Sequence, residues 1–175
     1  MNEFHHEIWK WSVVTVGNER CNTSNMGFIL NQSVANIDHK QISQIYGLSH
    51  TLPRVSIYCG GPVHTDRCTV LHSLEYSTAS TKPFNDNCAI TFDNQIVQDI
   101  VTGRGPRHWK IMLGHCEWQD GQLDAEIMRS GGWQEVPWNH TAWGGYKRKD
   151  KMWRRMIEQE VNKNAKNFLS TVFDQ

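Results

Sequence analysis

The apolar residues of this chain come in pieces of strand length, punctuated by turn formers, and that constrains the fold more than any other feature. Ile8 to Val16 is rich in β-branched and aromatic residues and is followed by Gly17-Asn18. Met26 to Leu30, Val55 to Cys59, Cys68 to Leu71, Cys88 to Phe92 and Trp109 to Leu113 repeat the pattern, with Gly60-Gly61-Pro62 and Gly114 as stops. Each reads as a strand bounded by turns. The longest apolar runs, such as Phe28 to Leu30, fall far short of the ~18 residues a membrane-spanning helix needs.

Helical periods interrupt the strands at four places. Asp38 with Gln41 three residues on forms a capping box ahead of Ile42 and Ile45, and Gly47 can end that helix. Asp93 can cap a helix bearing Ile96, Val97, Ile100 and Val101, closed by Gly103. Leu123 and Ile127 lie one turn apart behind Asp120, a potential cap. Lys147 to about Phe168 puts Trp153, Met156, Ile157, Val161 and Phe168 on one side, the pattern of an amphipathic helix docked on the body. Strands and helices mix without strict alternation, which points to an α+β fold. At 175 residues the chain suits one domain, 1–175.

Lys and Arg number 18 against 18 Asp and Glu, and the isoelectric point is near 7.1. Neutrality removes the simplest electrostatic case for nucleic-acid or anionic-membrane binding. It is an average, because Lys147, Arg148, Lys149, Lys151, Arg154 and Arg155 crowd six cations into nine residues. Such a cluster at a helix start opposes the helix dipole. A solvated face is its ordinary explanation; contact with nucleic-acid phosphates or an acidic partner protein is the less favoured one. The N-terminus lacks the basic start and apolar stretch of a signal peptide, so a cytoplasmic location is expected. Five cysteines, Cys21, Cys59, Cys68, Cys88 and Cys116, make no C-x-x-C pair and read as reduced, buried thiols, Cys116 being the best candidate for a redox-sensing one.

No catalytic set stands out. Gly60-Gly61-Pro62 after a strand could bring bare N–H groups to an anion, yet it lacks the Lys of a phosphate cradle, and a tight structural turn is the commoner role. His64, His72, His115 and Cys116 sit near strand ends without a zinc-like spacing. Asp124 and Glu126, two apart, point to opposite sides of a helix and would not serve one bond. Neither a metal nor a cofactor is implied. Eight tryptophans are more than composition explains, and Trp133, Trp138, Trp143 and Trp153 crowd the last third of the chain.

Taken in order, Trp11-Ser12-Val13-Val14, Gly27-Phe28-Ile29-Leu30-Asn31, Gly60-Gly61-Pro62-Val63, Val70-Leu71-His72-Ser73, Leu113-Gly114-x-x-x-Trp118-x-x-Gly121-Gln122-Leu123-x-x-Glu126-Ile127 and Trp133 resemble the AlgH/YqgE family. Trp153-Arg154 fits its pattern too. The resemblance implies a partly barrel-like, bifurcated sheet surrounded by helices. It implies no established enzymatic activity; the family takes its name from an association with transcriptional regulation. The chain departs from the family in starting late in its first strands, in having Gln32-Ser33 for an Arg-Pro, in His115 and Cys116, and in thirteen Asn against eight Leu, as in a divergent or phage-borne member.

The expectation is therefore a non-enzymatic regulatory or binding protein that meets a protein partner or small ligand. Its surface would comprise Gly60, Gly61, Pro62, His72, Gly114, His115, Trp118, Gly121, Gln122 and Glu126. A nucleotide- or phosphometabolite-binding enzyme or sensor built on Gly60-Gly61 and the nearby histidines is the alternative, and nucleic-acid binding through Lys147 to Arg155 the second.

Overall fold

One long strand organises the molecule. In the computed structural model, which describes residues 8–18, 24–34, 56–129, 132–145 and 148–173, the sheet comprises β1 (Val14–Asn18), β2 (Asn25–Ile29), β3 (Ile57–Cys59), β4 (Val63–His72), β5 (Lys82–Asn85), β6 (Cys88–Thr91) and β7 (Trp109–Trp118). Its order is β1-β2-β7-β4-β6-β5, with β3 also on β7. All neighbours are antiparallel except β3, which runs parallel to β7. The helices are α1 (Asn94–Val101), α2 (Gln122–Met128) and α3 (Lys149–Phe173), with a 3-10 turn at His140–Trp143.

β7 outruns any single neighbour on one edge, so that edge is shared. Ile111 to Leu113 pair with β3, and Cys116 to Trp118 pair with β2. The sheet forks between them, as the family resemblance implied. At the fork the Gly60 N–H donates to the Leu113 carbonyl, and the Gly60 carbonyl accepts from the Ile29 N–H, both at 2.8 Å. A Cβ on Gly60 would run into the Gly114 carbonyl, and Gly114 itself sits at φ 68°. Only glycine lets the backbones approach so closely.

At the far ends of the sheet β5 returns beside β1, so the barrel is almost closed. The Asn85 side-chain amide joins them, donating to the Val16 carbonyl at 2.9 Å and to Thr15 Oγ1 at 3.1 Å. The core is laid out around this sheet. Phe28, Leu30, Leu71, Phe84, Met112, Met152 and Met156 fill one cluster, while Ile57, Val70, Ile96, Val97 and Ile111 seat α1 on another part of the sheet.

Several boundaries depart from the sequence reading. Residues 8–9 are helical and β1 starts only at Val14, because the Ser12 hydroxyl and N–H return to the Ile8 and Trp9 carbonyls and close a turn. Gly114 bends β7 without ending it. Pro83 argues against a strand from sequence, yet β5 forms where proline is tolerated, at an outer position of the sheet. Asp93 caps α1 as expected, its carboxylate accepting from the Ile96 N–H. Asp120 does not cap α2; Gly121 occupies that position at φ 69°. On α3, Met152 and Met156 are buried, whereas Val161 is exposed along with residues 162–167, so docking ends near Glu160. The helix expected at Asp38 to Gly47, and Cys21, lie outside the described residues.

Candidate functional site

Tryptophans assemble around the outer side of β1. Trp9, Trp118 and Trp133 pack with ring centroids 5.6 to 6.3 Å apart. Trp118 arrives from the last residue of β7, and Trp133 from the segment after α2. Both indole N–H groups converge on one oxygen of Glu126, at 3.2 and 2.9 Å, and the other oxygen accepts from the Gln122 amide at 3.0 Å. Burial works to raise the Glu126 pKa, but the bonds from Trp133, Gln122 and Trp118 outweigh it and hold the carboxyl below its usual range. The i, i+4 spacing of Gln122 and Glu126 on α2 creates this cradle.

A second aromatic pair stands farther along. Trp11 meets the Trp153 ring of α3 edge-on at 4.6 Å, and the Arg154 guanidinium lies 5.6 Å from the Trp11 ring centre. Trp11 is 37% exposed and holds a left-handed backbone, φ 60°, which costs an L residue about 1–2 kcal/mol. Asn31 holds it there. Its buried amide donates to the carbonyls of Trp11 and Lys149, both at 2.7 Å, and its Oδ1 accepts from the Val13 N–H at 3.0 Å. One side chain thus ties the N-terminal segment, the end of β2 and the start of α3.

Between these clusters runs a groove of about 730 Å³, within the range of ligand sites, lined by Trp9, Trp11, Trp118, Trp133, Trp138 and Trp153 together with β1 and α3 residues. Of the residues expected at a functional surface, Trp118 lines it, and Gln122 and Glu126 brace its wall. Gly121 starts α2 beside it. Gly60, Gly61, Gly114 and His115 lie at the fork instead, where a Cβ on Gly61 would collide with the His115 backbone. Pro62 is exposed next to them.

His72 belongs to a third place. It is fully buried, with Nδ1 2.9 Å from the Ser73 carbonyl and Nε2 2.9 Å from Thr91 Oγ1. The chain of hydroxyls continues through Thr81 (2.6 Å) and Thr78 (3.3 Å) to Asp93 (2.7 Å), the cap of α1. Burial pushes the imidazole below its usual range although the Ser73 carbonyl opposes this. The network fixes the 73–81 connection. His64 and His115 rings lie 5.5 Å apart, but among the described residues no group of three or more His, Cys, Asp or Glu could hold a metal. Cys116 is 1% exposed and burial pushes its thiol up to about 12, which keeps it in the unreactive protonated form.

Three cations of the basic cluster are engaged. Arg148 and Arg154 both pair with Asp150, and Lys149 Nζ donates to the Ile8 carbonyl and to Gln32 Oε1. Lys151 and Arg155 are exposed, and Lys147 lies outside the described residues. One cation the sequence reading missed is Lys110 on β7, 2% exposed, 4.0 Å from the Tyr58 ring centre and donating to the Gly144 carbonyl at 3.0 Å. Burial pulls its pKa down to about 8. Among the described residues no helix is long and apolar enough to cross a membrane.

A forked, nearly closed sheet with flanking helices defines a class of α+β domain with solved examples. The AlgH protein of Pseudomonas aeruginosa superposes with a TM-score of 0.61 over 94% of this chain and 84% of its own, at 24% identity, and a Corynebacterium diphtheriae protein gives 0.59 over 81% and 73%, at 17%. Their likeness is one of fold. The AlgH-like family profile matches residues 1–164, and the chain belongs to that family. A UPF0301 protein of Methylococcus capsulatus is 31% identical over 134 residues, which are 76% of this chain and 72% of the relative. Another, from Allorhizobium ampelinum, is 36% identical over 120 residues, 64% of this chain and 59% of its own length.

Proposed function

We propose that this is a binding protein of regulatory type, without catalysis of its own, whose ligand surface is the tryptophan groove along β1. The observation that supports this reading is the use of the polar groups around the groove. Glu126, the carboxylate nearest the tryptophans, spends both oxygens on indole and amide donors, so it braces a wall and has no proton-transfer task. His72, one of the histidines the enzymatic alternative would call on, has both ring nitrogens committed in the interior, away from the groove. What the groove offers is aromatic area, strand backbone and a rim of carboxylates, which is the equipment of recognition.

A thermal-shift screen of nucleotides, phosphorylated metabolites and short peptides tests it. A ligand at 100 times its Kd stabilises by about 2.7 kcal/mol. The expected result is a shift lost in Trp11→Ala and Trp133→Phe. Turnover of a phosphoester, ester or nucleotide substrate, abolished by His72→Gln or Glu126→Gln, would overturn it.

A further inference from the structure

We propose that the groove takes an extended, basic peptide segment, which adds as a strand to the outer edge of β1; this rests on the groove being the ligand surface. The register fixes which edge is open. Val13 faces β2, its carbonyl accepting from the Leu30 N–H at 2.8 Å and its N–H donating to Asn31 Oδ1. Val14 must therefore face away, since successive residues of an antiparallel strand alternate. Its register partner Ile29 agrees, because the Ile29 N–H turns from β1 to the Gly60 carbonyl. On that outer side the Val16 carbonyl is taken by Asn85, which closes the barrel seam at one end. At the other end, the N–H and C=O of Val14 meet no described partner, and Val14 lines the groove. Val14 is half-buried, and an unpaired N–H and C=O on a strand edge are what an added strand pairs with.

Charge sets what the added strand carries. The ionisable residues lining the groove are Asp86, Asp124 and Glu135 against Lys10, and Arg154 beside Trp11 is already paired with Asp150. Aromatic faces and carboxylates together favour Arg and Lys, which stack on indoles while their charges are met by the rim. The molecule already makes this contact once, where the Arg154 guanidinium rests against Trp11. A strand on β1 would alternate side chains toward and away from the tryptophan wall, so basic residues spaced by two meet the same wall.

Selection from displayed random ten-residue peptides tests this. The expected outcome is enrichment of Lys and Arg over the input, with recovered peptides binding the full chain in fluorescence polarisation. N-methylation of a central backbone amide in the best peptide should weaken it at least tenfold, as should Val14→Pro. The triple variant Asp86→Asn, Asp124→Asn, Glu135→Gln should weaken it about tenfold and flatten its salt dependence. The N-methyl scan leaves the protein unaltered, so it decides even where Val14→Pro fails to fold. Recovery of neutral or acidic peptides, indifference to N-methylation, or no enrichment overturns the proposal. If peptides fail while a small molecule gives the Trp11- and Trp133-dependent shift, the groove reading stands and only the strand addition falls; if both fail, both fall.

Discussion

The fork and the groove are built from opposite materials. At the fork, Gly60, Gly61 and Gly114 bring main chains together so closely that no side chain fits, and the space is fully used by the protein itself. Along the groove, large indoles hold main chains apart and leave room. Sharp sequence motifs and available surface therefore need not coincide, because glycines that look like a ligand loop serve the approach of one strand to another.

The fork is the more sensitive of the two to substitution. Gly60→Ala should cost about 4 kcal/mol or more, since its methyl meets main chain that cannot step aside. Loss of soluble protein, or a collapsed denaturation midpoint, would show it; a midpoint near wild type would mean the fork is loosely packed. Next comes Lys110, beside the fork on β7. Its folded pKa, about 8 against 10.5, means the folded state binds fewer protons between those values, so stability rises with pH across that window. The Cys88 and Cys116 thiols, pushed by burial from 9.0 to about 12, act in the opposite sense above pH 9. Measured against Lys110→Met at each pH, the thiols cancel, and wild type should gain up to about 3 kcal/mol on the variant from pH 8 to 10.5.

The groove wall answers with a smaller effect. Glu126→Ala strands the indole N–H groups of Trp118 and Trp133 and should cost about 2 kcal/mol in urea denaturation at pH 7. A depressed carboxyl stabilises above its unfolded pKa and loses that contribution as pH falls through the folded one, so the advantage of wild type over Glu126→Gln should shrink below about pH 4.5. Smallest of all, Trp11→Ala should shift stability by about 1 kcal/mol or less, its ring being partly exposed and its backbone strain relieved by nothing the change removes. Its effect on ligand binding should exceed its effect on stability.

The strands and α1 were legible because each carries its own signal, an apolar run with turn residues behind it or a cap with a stripe. Their pairing was not. That Gly60 and Gly114 face each other depends on β3 joining β7 in parallel, which neither segment declares alone. The tryptophans were visible as an excess, yet Trp9 and Trp133 are far apart in sequence and meet only through the fold. Glu126 read only as a helix carboxylate that shares no bond with Asp124, because nothing local reveals that two indoles from other segments would point at it. Asn31 was one letter in a motif; its work of joining three segments appears only when they are assembled.

The fork also governs the order in which the protein can form. β7 is the strand on which β2, β3 and β4 all depend, and it begins at Trp109. During synthesis β1 can pair with β2, and β4 with β6 and β5, but the edges of β2, β3 and β4 that face β7 wait for a partner not yet made. Such non-local pairing is slow, in the millisecond to second range for sheet-dominated domains, and leaves open edges liable to pair with the wrong chain meanwhile. The arrival of Trp109–Trp118 is the event that commits this chain to its structure.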